Sequence, residues 1–487
     1  MFGTLSSQVP SDVDYPPRQH TLDVRSRVLA GTLYDVLTTS FQDERTPGGE
    51  YIPIRKRRPS VRYNLCRLVV QDSVALLFGE GRFPSVETPD KTTHETLIAV
   101  MDESRFNQVM LDAAIRGSVG SVVIHMRVLA GRVFFAALDT WFLTPEYDPT
   151  APDTMLRVTE RYKVRGDVLA SRGYTISDDL KASWFWFQRV FGTEAETWFL
   201  PWPVSETEAT PQIDTAHTTQ HGLGFVPMVW IRNLPGGGDI DGACTFLQAI
   251  ETSIEIDYQL SQAGRGLKYS SDPLLMIREP GAPDGDLVRS ASSALIVSKD
   301  GDAKLLEISG TAAAAVIEYV RCLRELALES IHGNRSSADK ISAAQSGRAL
   351  ELMHQPLIWV ADQLRVSYGD NGILPLMRMV AMASGVHALT VKGKPIQALN
   401  QSDITLRWPA WFSPTEHDKS AVAGTLSALR SAGLMSRETG VKLADVITND
   451  LDVVAEVKRI LADEAAARAN AAELPAAQSK LTENLPA

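Results

Sequence analysis

The middle of the sequence holds two long amphipathic segments, residues 242–264 and 312–332, on either side of a shorter stretch of strand-like pieces. In both segments apolar residues recur every three or four positions, which predicts helices with one buried face. At 1.5 Å per residue the first helix would be roughly 35 Å long. Turn residues divide the roughly forty residues between the helices into short strands. This order of helix, small β module and helix constrains the fold most, and it is unusual for an enzyme.

The two predicted helices each have an apolar and a polar face. The first has an apolar face of Ala243, Phe246, Leu247, Ile250, Ile254 and Tyr258, opposite Glu251, Glu255, Gln259 and Gln262. The second has an inner face of Ala313, Val316, Ile317, Val320 and Ala327, opposite Glu318, Arg321, Glu325 and Glu329. Thr311 is placed to cap the second helix, and Gly333 to end it.

Composition describes a large, acidic, globular chain. Its 487 residues exceed what one hydrophobic core supports, so we expect two to four domains. The net charge is −11, from 48 Lys+Arg against 59 Asp+Glu, whereas a sequence-reading DNA-binding protein usually has a basic domain. Contact with DNA is therefore expected only locally, at basic patches. A hydrophobic content of 44% with 22% charged residues is typical of a soluble fold.

Targeting signals and cysteine pairs are not evident in the sequence. The N-terminus has no basic start followed by an apolar core, and the most apolar window is interrupted by Pro375 and Arg378. Cys66, Cys244 and Cys322 are far apart and form no CxxC pair. These cysteines are expected to be free thiols in a reducing compartment, most simply as small buried residues.

The N-terminal half combines helices with strands. Residues 95–116 read as one helix, and residues 120–139, 183–204 and 221–239 read as strands with glycine breaks. The consecutive glycines Gly236–Gly238 are interpreted as a turn, because no Lys-Ser or Lys-Thr follows them as in a phosphate-binding loop. Four tryptophans, Trp184, Trp186, Trp198 and Trp202, could stack on bases. Packing of a sheet on helices is the favoured interpretation, because only Arg189 supplies positive charge among them.

A basic run, Arg55, Lys56, Arg57 and Arg58, with Arg62 close behind, precedes an amphipathic helix. Ser60 is the expected N-cap, Gly79 the expected stop, and the apolar stripe consists of Val61, Leu65, Leu68, Val69 and Leu76. Cations at a helix N-terminus oppose the helix dipole, so the run is expected to meet acidic neighbours or phosphate. The alternative is a solvated entrance to the helix.

The C-terminal third is predicted to be helical. Pro356 lies inside an apparent helix and should kink or divide it. Ser413, Pro414 and Glu416 form a capping box for a helix that runs to Gly433. Two more helices follow, and the Ala-rich tail at 471–487, with Pro475, is expected to be frayed.

This order of elements resembles the portal proteins of tailed bacteriophages. The segments FVPMVWIRN and IETSIEIDYQLSQAG look like the entry to the family's first stem helix, and VIEYVRCLRELALESI looks like its second. The segment AAQSGRALELMHQPLIWVADQLR resembles the helix after the tunnel loop, and LSALRSAGLMSRETGV resembles the pattern on the crown side. The similarity covers about residues 60–465, and it lies in the order of several weak motifs.

The resemblance implies an α+β, portal-like fold in a ring of about twelve subunits at one capsid vertex. It implies the following segments: a wing at 1–241, a first stem helix at 242–270, a clip at 271–310, a second stem helix at 311–333, a tunnel loop at 334–345, and wing and crown helices at 346–470. The implied partners are double-stranded DNA without sequence specificity, the major capsid protein, the scaffold protein, the terminase large subunit and a head-completion adaptor. The implied location is the portal vertex of the virion after assembly in the host cytoplasm, with no membrane, cofactor or metal.

A conduit for DNA must not hold it tightly, because each stable phosphate contact would slow sliding along a backbone with a charge every ~1.7 Å. The candidate channel residues lie in the implied tunnel loop: Asn334, Arg335, Ser336, Ser337, Asp339 and Lys340. We expect Arg335 and Lys340, offset by Asp339, to touch phosphates transiently. The alternative is a solvated loop without DNA contact. The basic run would lie in the wing, against an acidic neighbouring subunit, the shell, or packaged DNA.

Two other classes remain open. Ser337 and Lys340 fit a Ser-x-x-Lys hydrolase spacing, although no Lys-Thr-Gly or Ser-Asp-Asn accompanies them. His217 and His221 have the i, i+4 spacing of zinc ligands but lack the glutamate of a protease helix. Neither pattern is specific, so no catalytic residue is assigned and the chain is not expected to be an enzyme. The second class is another structural protein of phage head assembly, such as a shell protein or an adaptor.

Overall fold

The computed structural model describes residues 1–206, 210–238, 240–271, 274–278, 302–306, 311–331, 355–401, 403–411, 416–448 and 455–465. Its composition of 47% helix and 20% strand confirms the expected α+β class. Contacts divide the chain into two compact units, one of residues 1–335 and 356–409 and the other of residues 336–355 and 410–487. Among the helices of the described residues, none combines the length and hydropathy of a membrane span.

The helices of the first unit are α1 (Phe2–Ser6), α2 (Pro17–Ala30), α3 (Leu65–Phe78), α4 (Lys91–Glu103), α5 (Phe106–Gly117), α6 (Gly166–Ser171), α7 (Ile250–Ser271), α8 (Thr311–Ser330), α9 (Gln355–Leu364) and α10 (Leu374–Val386). A π-helix, Arg365–Ile373, joins α9 to α10.

The first unit contains two main sheets. The three-stranded sheet has the order β12 (Met228–Arg232), β4 (Ser121–Leu129) and β5 (Arg132–Asp139). The six-stranded sheet has the order β11 (Thr219–Gln220), β9 (Ala195–Trp198), β8 (Trp184–Phe191), β7 (Met155–Arg165) and β6 (Leu143–Tyr147), with β10 (Trp202–Pro203) also paired to β8. The remaining strands form two-stranded pairs: β1 (Thr39–Ser40) with β2 (Arg57–Arg58), β3 (Ser85–Glu87) with β17 (Thr405–Arg407), β13 (Leu274–Arg278) with β14 (Asp302–Leu306), and β15 (Thr390–Val391) with β16 (Lys394–Pro395).

Strand β4 lies between the two hydrophobic layers of the N-terminal part. Side chains alternate across a strand, and Val122, Ile124 and Met126 belong to the large core formed with the helices. Val123, on the opposite face, packs in a second cluster with residues such as Val158 of the six-stranded sheet. The sheet containing β4 therefore separates a helical layer from a second sheet.

The start of α3 differs from the prediction. Asn64, not Ser60, caps the helix, and its side chain accepts a hydrogen bond from the Arg67 N–H at 3.1 Å. Residues 61–63 have no regular secondary structure, and the Val61 N–H donates to Ser261 Oγ at 3.0 Å. The stop at Gly79 is confirmed.

The single helix predicted at 95–116 is two helices, α4 and α5. Arg105 between them has φ 52°, in the left-handed region that ends a right-handed helix. Asp90 caps α4 by accepting from the Thr93 N–H at 3.0 Å. Periodicity alone did not show this break, because the apolar positions continue across it.

The first of the two long helices begins at Ile250 rather than at residue 242, preceded by a 3-10 turn at Leu247–Ala249. The residues before it form an isolated β-bridge at Ala243 and a turn, because neighbouring loops bond their backbone. The Asn233 Nδ2 donates to the Ala243 carbonyl at 2.9 Å, and the Thr245 N–H donates to the Ser118 carbonyl at 2.9 Å. The second helix, α8, and the strands β13 and β14 lie where such elements were predicted. Thr311, however, is the first residue of α8 and not its cap, and the predicted stop at Gly333 lies outside the described residues.

Within the described residues α9 runs from Gln355 to Leu364, and the residues before Gln355, against which a kink or division at Pro356 would be seen, lie outside them. The helical backbone widens further along the chain, in the π-helix Arg365–Ile373, which was not predicted from the sequence. Its Tyr368 is fully buried and donates to Asn233 Oδ1 at 3.2 Å.

The second unit contains α11 (Glu416–Ser431), α12 (Arg437–Thr448) and α13 (residues 455–465). Gly433 follows α11 with φ 69°, as expected of a residue that ends a helix. Glu464 of α13 pairs with Arg437 at 2.6 Å. The expected cap at Ser413 and Pro414 and the tail at 471–487 lie outside the described residues.

Candidate functional site

Helices α7 and α8 form a pair with one end in the core. Ile250, Ile254 and Tyr258, in the first half of α7, are buried, whereas Leu267 near its end is 47% exposed. In α8 the gradient is reversed, and burial is reached only near the end, at Ala327 and Leu328. The outer ends lead into β13 and β14, which pair antiparallel from Leu274↔Leu306 to Arg278↔Asp302. The helices therefore carry a β ladder at the end farther from the core.

Helix α8 exposes several large apolar side chains along its length. Tyr319, Leu326 and Ile317 are 48%, 56% and 46% exposed, and Cys322 is also exposed. Ile317 was predicted to lie on the inner face, and this prediction is wrong for the single chain. Glu318, Arg321, Glu325 and Glu329 form a polar face, and the exposed apolar residues lie on the two flanks between this face and the buried one. Apolar flanks of this kind are typical of a helix with more than one packing partner.

The basic run is not a uniform charged surface. Arg57 is 1% exposed, and its guanidinium donates to the Phe41 carbonyl at 3.3 Å and to the Tyr51 hydroxyl at 3.1 Å. It also lies 5.7 Å from the ring centroid of Phe41 and 3.8 Å from a carboxylate oxygen of Glu44. The expectation of a solvated or partner-binding residue is wrong for Arg57, which is internal.

Helix α7 bonds to this run and to the segment that follows it. The Tyr258 hydroxyl donates to the Arg57 carbonyl at 2.9 Å. The buried carboxylate of Asp257 accepts from the Tyr63 N–H at 2.7 Å and from the Tyr34 hydroxyl at 2.8 Å. Burial raises the pKa of Asp257, and these hydrogen bonds oppose the rise. The basic segment is thus attached to the first of the paired helices.

The other cations of the run differ in their partners. Arg62 donates to the Gly31 carbonyl at 2.8 Å and pairs with Asp35 at 2.9 Å. Arg55, Lys56 and Arg58 are exposed and form no ion pair with the described residues. These three residues, the basic edge, retain the capacity to meet an acidic neighbour or phosphate. The run lies before α3 rather than on its first turn.

Cations of the protein itself cover the tryptophans of the six-stranded sheet. Arg161 of β7 lies 4.1 Å from the ring of Trp186 and 5.7 Å from that of Trp202. Lys163 lies 5.2 Å from Trp186. These cations leave no signal in the sequence, because strand pairing, not sequence order, brings them over the rings. Packing of the sheet explains these two tryptophans without bound bases.

A cavity of about 260 Å³ lies between the two main sheets, and four histidines line it: His125, His217, His221 and His387. We call it the histidine cavity. Burial, with the nearby Arg127 and Arg189, lowers the pKa of His125 to about 3, so this imidazole is neutral. Burial also lowers the pKa of His221. These residues come from distant parts of the sequence, so only the spacing of His217 and His221 was visible in it.

His217 is oriented by a buried carboxylate. Its Nδ1 lies 2.6 Å from Asp214 Oδ2, and Asp214 also accepts from the Ala216 N–H at 3.0 Å. The His217 ring lies between Tyr174 and Trp198, with centroids 5.4 and 5.7 Å away. Among the described residues no group of three or more His, Cys, Asp or Glu side chains is arranged to hold a metal ion.

The predicted channel residues Asn334, Arg335, Ser336, Ser337, Asp339 and Lys340 lie outside the described residues, as does the Ser337/Lys340 pair of the hydrolase alternative. Most of the predicted clip lies outside them too. Comparison with known proteins identified no matching family model. No curated protein matches the sequence either.

Proposed function

We propose that the chain is the subunit of a ring-shaped portal, a structural conduit for double-stranded DNA at one capsid vertex and not an enzyme. The observation that carries the proposal is the pair of α7 and α8. One end of each helix is buried in the core, and the other ends lead to the paired strands β13 and β14. This is the arrangement that stem helices and a clip would require.

The exposed apolar residues of α8 support assembly through this pair. Large apolar side chains that cluster on the surface of one chain often mark an interface. Tyr319, Leu326 and Ile317 belong to one helix that is largely exposed in the single chain. At about 100° per residue Tyr319 and Leu326 lie on one flank of the helix and Ile317 on the opposite flank. In a ring, the two neighbouring subunits would cover the two flanks, through head-to-tail contacts that close on themselves.

The charges are consistent with a passage that does not grip DNA. The chain carries a net charge of −11, and the described cations mostly have partners within the protein. The basic edge supplies a small local positive surface. In the proposed assembly it meets an acidic surface of a neighbouring subunit or of the shell, and the terminase and the head-completion adaptor dock on the clip.

The mass of the purified protein tests the proposal. Light scattering should give about twelve copies of the 53.3 kDa chain, about 640 kDa, and negative-stain images should show a ring with a central hole. A chain that remains monomeric or dimeric, even when co-expressed with shell and scaffold proteins, would contradict it. A large closed shell or a short stack without a stem would favour another head-assembly protein.

A substitution on α8 makes the test specific. Leu326→Glu places a charge on the proposed interface and should reduce the mass toward that of a single chain without unfolding it. Val13→Glu is the matched control, because Val13 is 98% exposed and lies away from α8 in the sequence. If Leu326→Glu keeps the mass of the ring, as Val13→Glu should, the interface does not include this part of α8.

A further inference from the structure

The two flanks of α8 carry different charges. Around the helix axis Arg324 lies about 20° from Ile317, whereas Glu329 lies about 60° from Leu326. All of these side chains are exposed, as is Tyr319 beside Leu326. We call the surface of Ile317 and Arg324 the Ile317 flank, and the surface of Tyr319, Leu326 and Glu329 the Leu326 flank. The first flank is positive and the second is negative.

The charges on the two flanks have no partner within the described part of the chain. Arg324 and Glu329 form no ion pair there, whereas Arg321 lies 3.4 Å from Glu318 in a pair within the helix. A partner that covers the apolar residues of a flank also covers the ion beside them. That partner must supply the opposite charge, because an ion left unpaired in a contact is unfavourable. The Ile317 flank therefore requires an acidic, apolar partner, and the Leu326 flank requires a basic, apolar one.

A second copy of the chain supplies both partners. The Leu326 flank is acidic and apolar, and the Ile317 flank is basic and apolar, so each flank has what the other requires. Helix α7 is a poorer candidate, since among its described side chains Leu267 alone is large, apolar and exposed. A two-fold contact of one flank with itself would set like charges against each other. A head-to-tail contact sets opposite charges together.

We propose that α8 of one subunit packs its Ile317 flank on the Leu326 flank of α8 in the next subunit, with Arg324 paired to Glu329 across the contact. The proposal rests on the ring of the proposed function and names the surfaces that join its subunits. Equivalent residues of a cyclic ring lie at one level. Arg324 and Glu329 are five positions apart, so their offset is at most about 7.5 Å, which two long side chains can bridge.

Light scattering on two charge-reversal variants of the whole chain tests the pairing. Arg324→Glu and Glu329→Arg should each lower the mass from that of the ring toward the 53.3 kDa of one chain, because like charges meet at every contact. An equal mixture of the two variants should regain the mass of the ring, since each chain then meets the opposite charge on both neighbours. Both residues are exposed, so the thermal midpoint of each variant should stay that of the parent chain.

Glu325→Arg is the matched control. Glu325 is exposed and lies about 80° from Ile317 and about 100° from Leu326, on neither flank, so this variant should keep the mass of the ring. The pairing alone would be overturned by single variants that keep the ring mass, by a mixture that stays at the mass of one chain, or by a control that falls as far as the test variants. A parent chain that forms no ring would overturn both the pairing and the proposed function.

Discussion

The hydroxyl of Tyr34 donates to a carboxylate oxygen of Asp257 at 2.8 Å, and both side chains are buried. The contact joins the N-terminal region to the first of the paired helices across 223 positions of sequence. The proposed function rests on the pair of α7 and α8. Interactions that hold the buried end of α7 can therefore be tested through the stability of the chain as well as through its assembly.

Removal of this hydroxyl should destabilise the protein. Tyr34→Phe leaves the buried carboxylate with one donor fewer, and we expect a loss of about 1–3 kcal/mol in the free energy of unfolding at neutral pH. Urea denaturation measures it. Tyr63→Phe is the control, since Tyr63 is 36% exposed and bonds to Asp257 through its backbone N–H alone, and its effect should stay within about 0.5 kcal/mol. Equal effects would show that the buried hydrogen bond contributes nothing.

The effect of Tyr34→Phe should depend on pH. Burial raises the pKa of Asp257 in the folded chain above its ordinary value of 3.8, so ionisation of Asp257 opposes folding as the pH rises through that raised pKa. The Tyr34 hydroxyl stabilises the ionised form, and its loss raises the pKa further. The destabilisation should therefore be largest at neutral pH and smallest near the ordinary value, where Asp257 is protonated. A constant difference between Tyr34→Phe and the parent protein across this range would contradict the assignment.

The basic run should divide into residues that hold the fold and residues that do not. Arg57→Ala removes a buried guanidinium and leaves the Phe41 carbonyl and the Tyr51 hydroxyl without its donors. We expect a loss of about 1–3 kcal/mol in the free energy of unfolding, chiefly because the Phe41 carbonyl loses its donor in the interior. Arg58→Ala, next in sequence but exposed, should change it by less than about 0.5 kcal/mol. Thermal unfolding of the two variants provides the comparison, and similar midpoints would refute the division.

The glycines of the π-helix should not accept a methyl group. A Cβ on Gly372 would lie 2.8 Å from Ile231 Cδ1, and one on Gly369 would lie 2.7 Å from the indole of Trp408. Gly372→Ala should therefore cost about 1–3 kcal/mol through overpacking. Gly385→Ala in α10 is the control, because its Cβ would meet open space and alanine favours a helix by roughly 0.8–1.0 kcal/mol. The thermal midpoint measured by calorimetry should fall for Gly372→Ala and rise for Gly385→Ala.

The periodicity of apolar residues predicted elements that bury one face. It did not predict features formed by residues that are far apart in the sequence. It placed α8 correctly, because its apolar spacing is local. It extended α7 too far toward the N-terminus, because Phe246 continues the apolar spacing, while the backbone there bonds to Asn233 and Ser118 instead. The internal position of Arg57 leaves no signal in the residues next to it in the sequence. The same holds for His125 and His387, which line one cavity. The predicted channel loop lies outside the described residues and stays a prediction.

The three cysteines should differ in reactivity. Burial raises the pKa of Cys66 to about 12 and that of Cys244 to about 11, so both thiols are protonated and covered, whereas Cys322 is exposed on α8. A thiol-specific reagent should modify one thiol in the folded, unassembled chain and all three after unfolding. Cys322→Ser should abolish the reaction of the folded chain. Rapid modification of Cys66 or Cys244 in the folded chain would contradict the buried assignment.

The same thiol reports on the proposed assembly. If neighbouring subunits cover the exposed apolar residues of α8, Cys322 loses access to solvent when the ring forms, because it lies between Tyr319 and Leu326 in the helix. Cys322 should then react slowly in protein purified at the mass of the ring. It should react fast in the Leu326→Glu variant, which should not assemble. Unfolding in denaturant should make the two proteins react equally, so that any difference reflects assembly alone. Equal rates in the ring and in the unassembled variant would place α8 away from the subunit interface, even if the ring itself is observed.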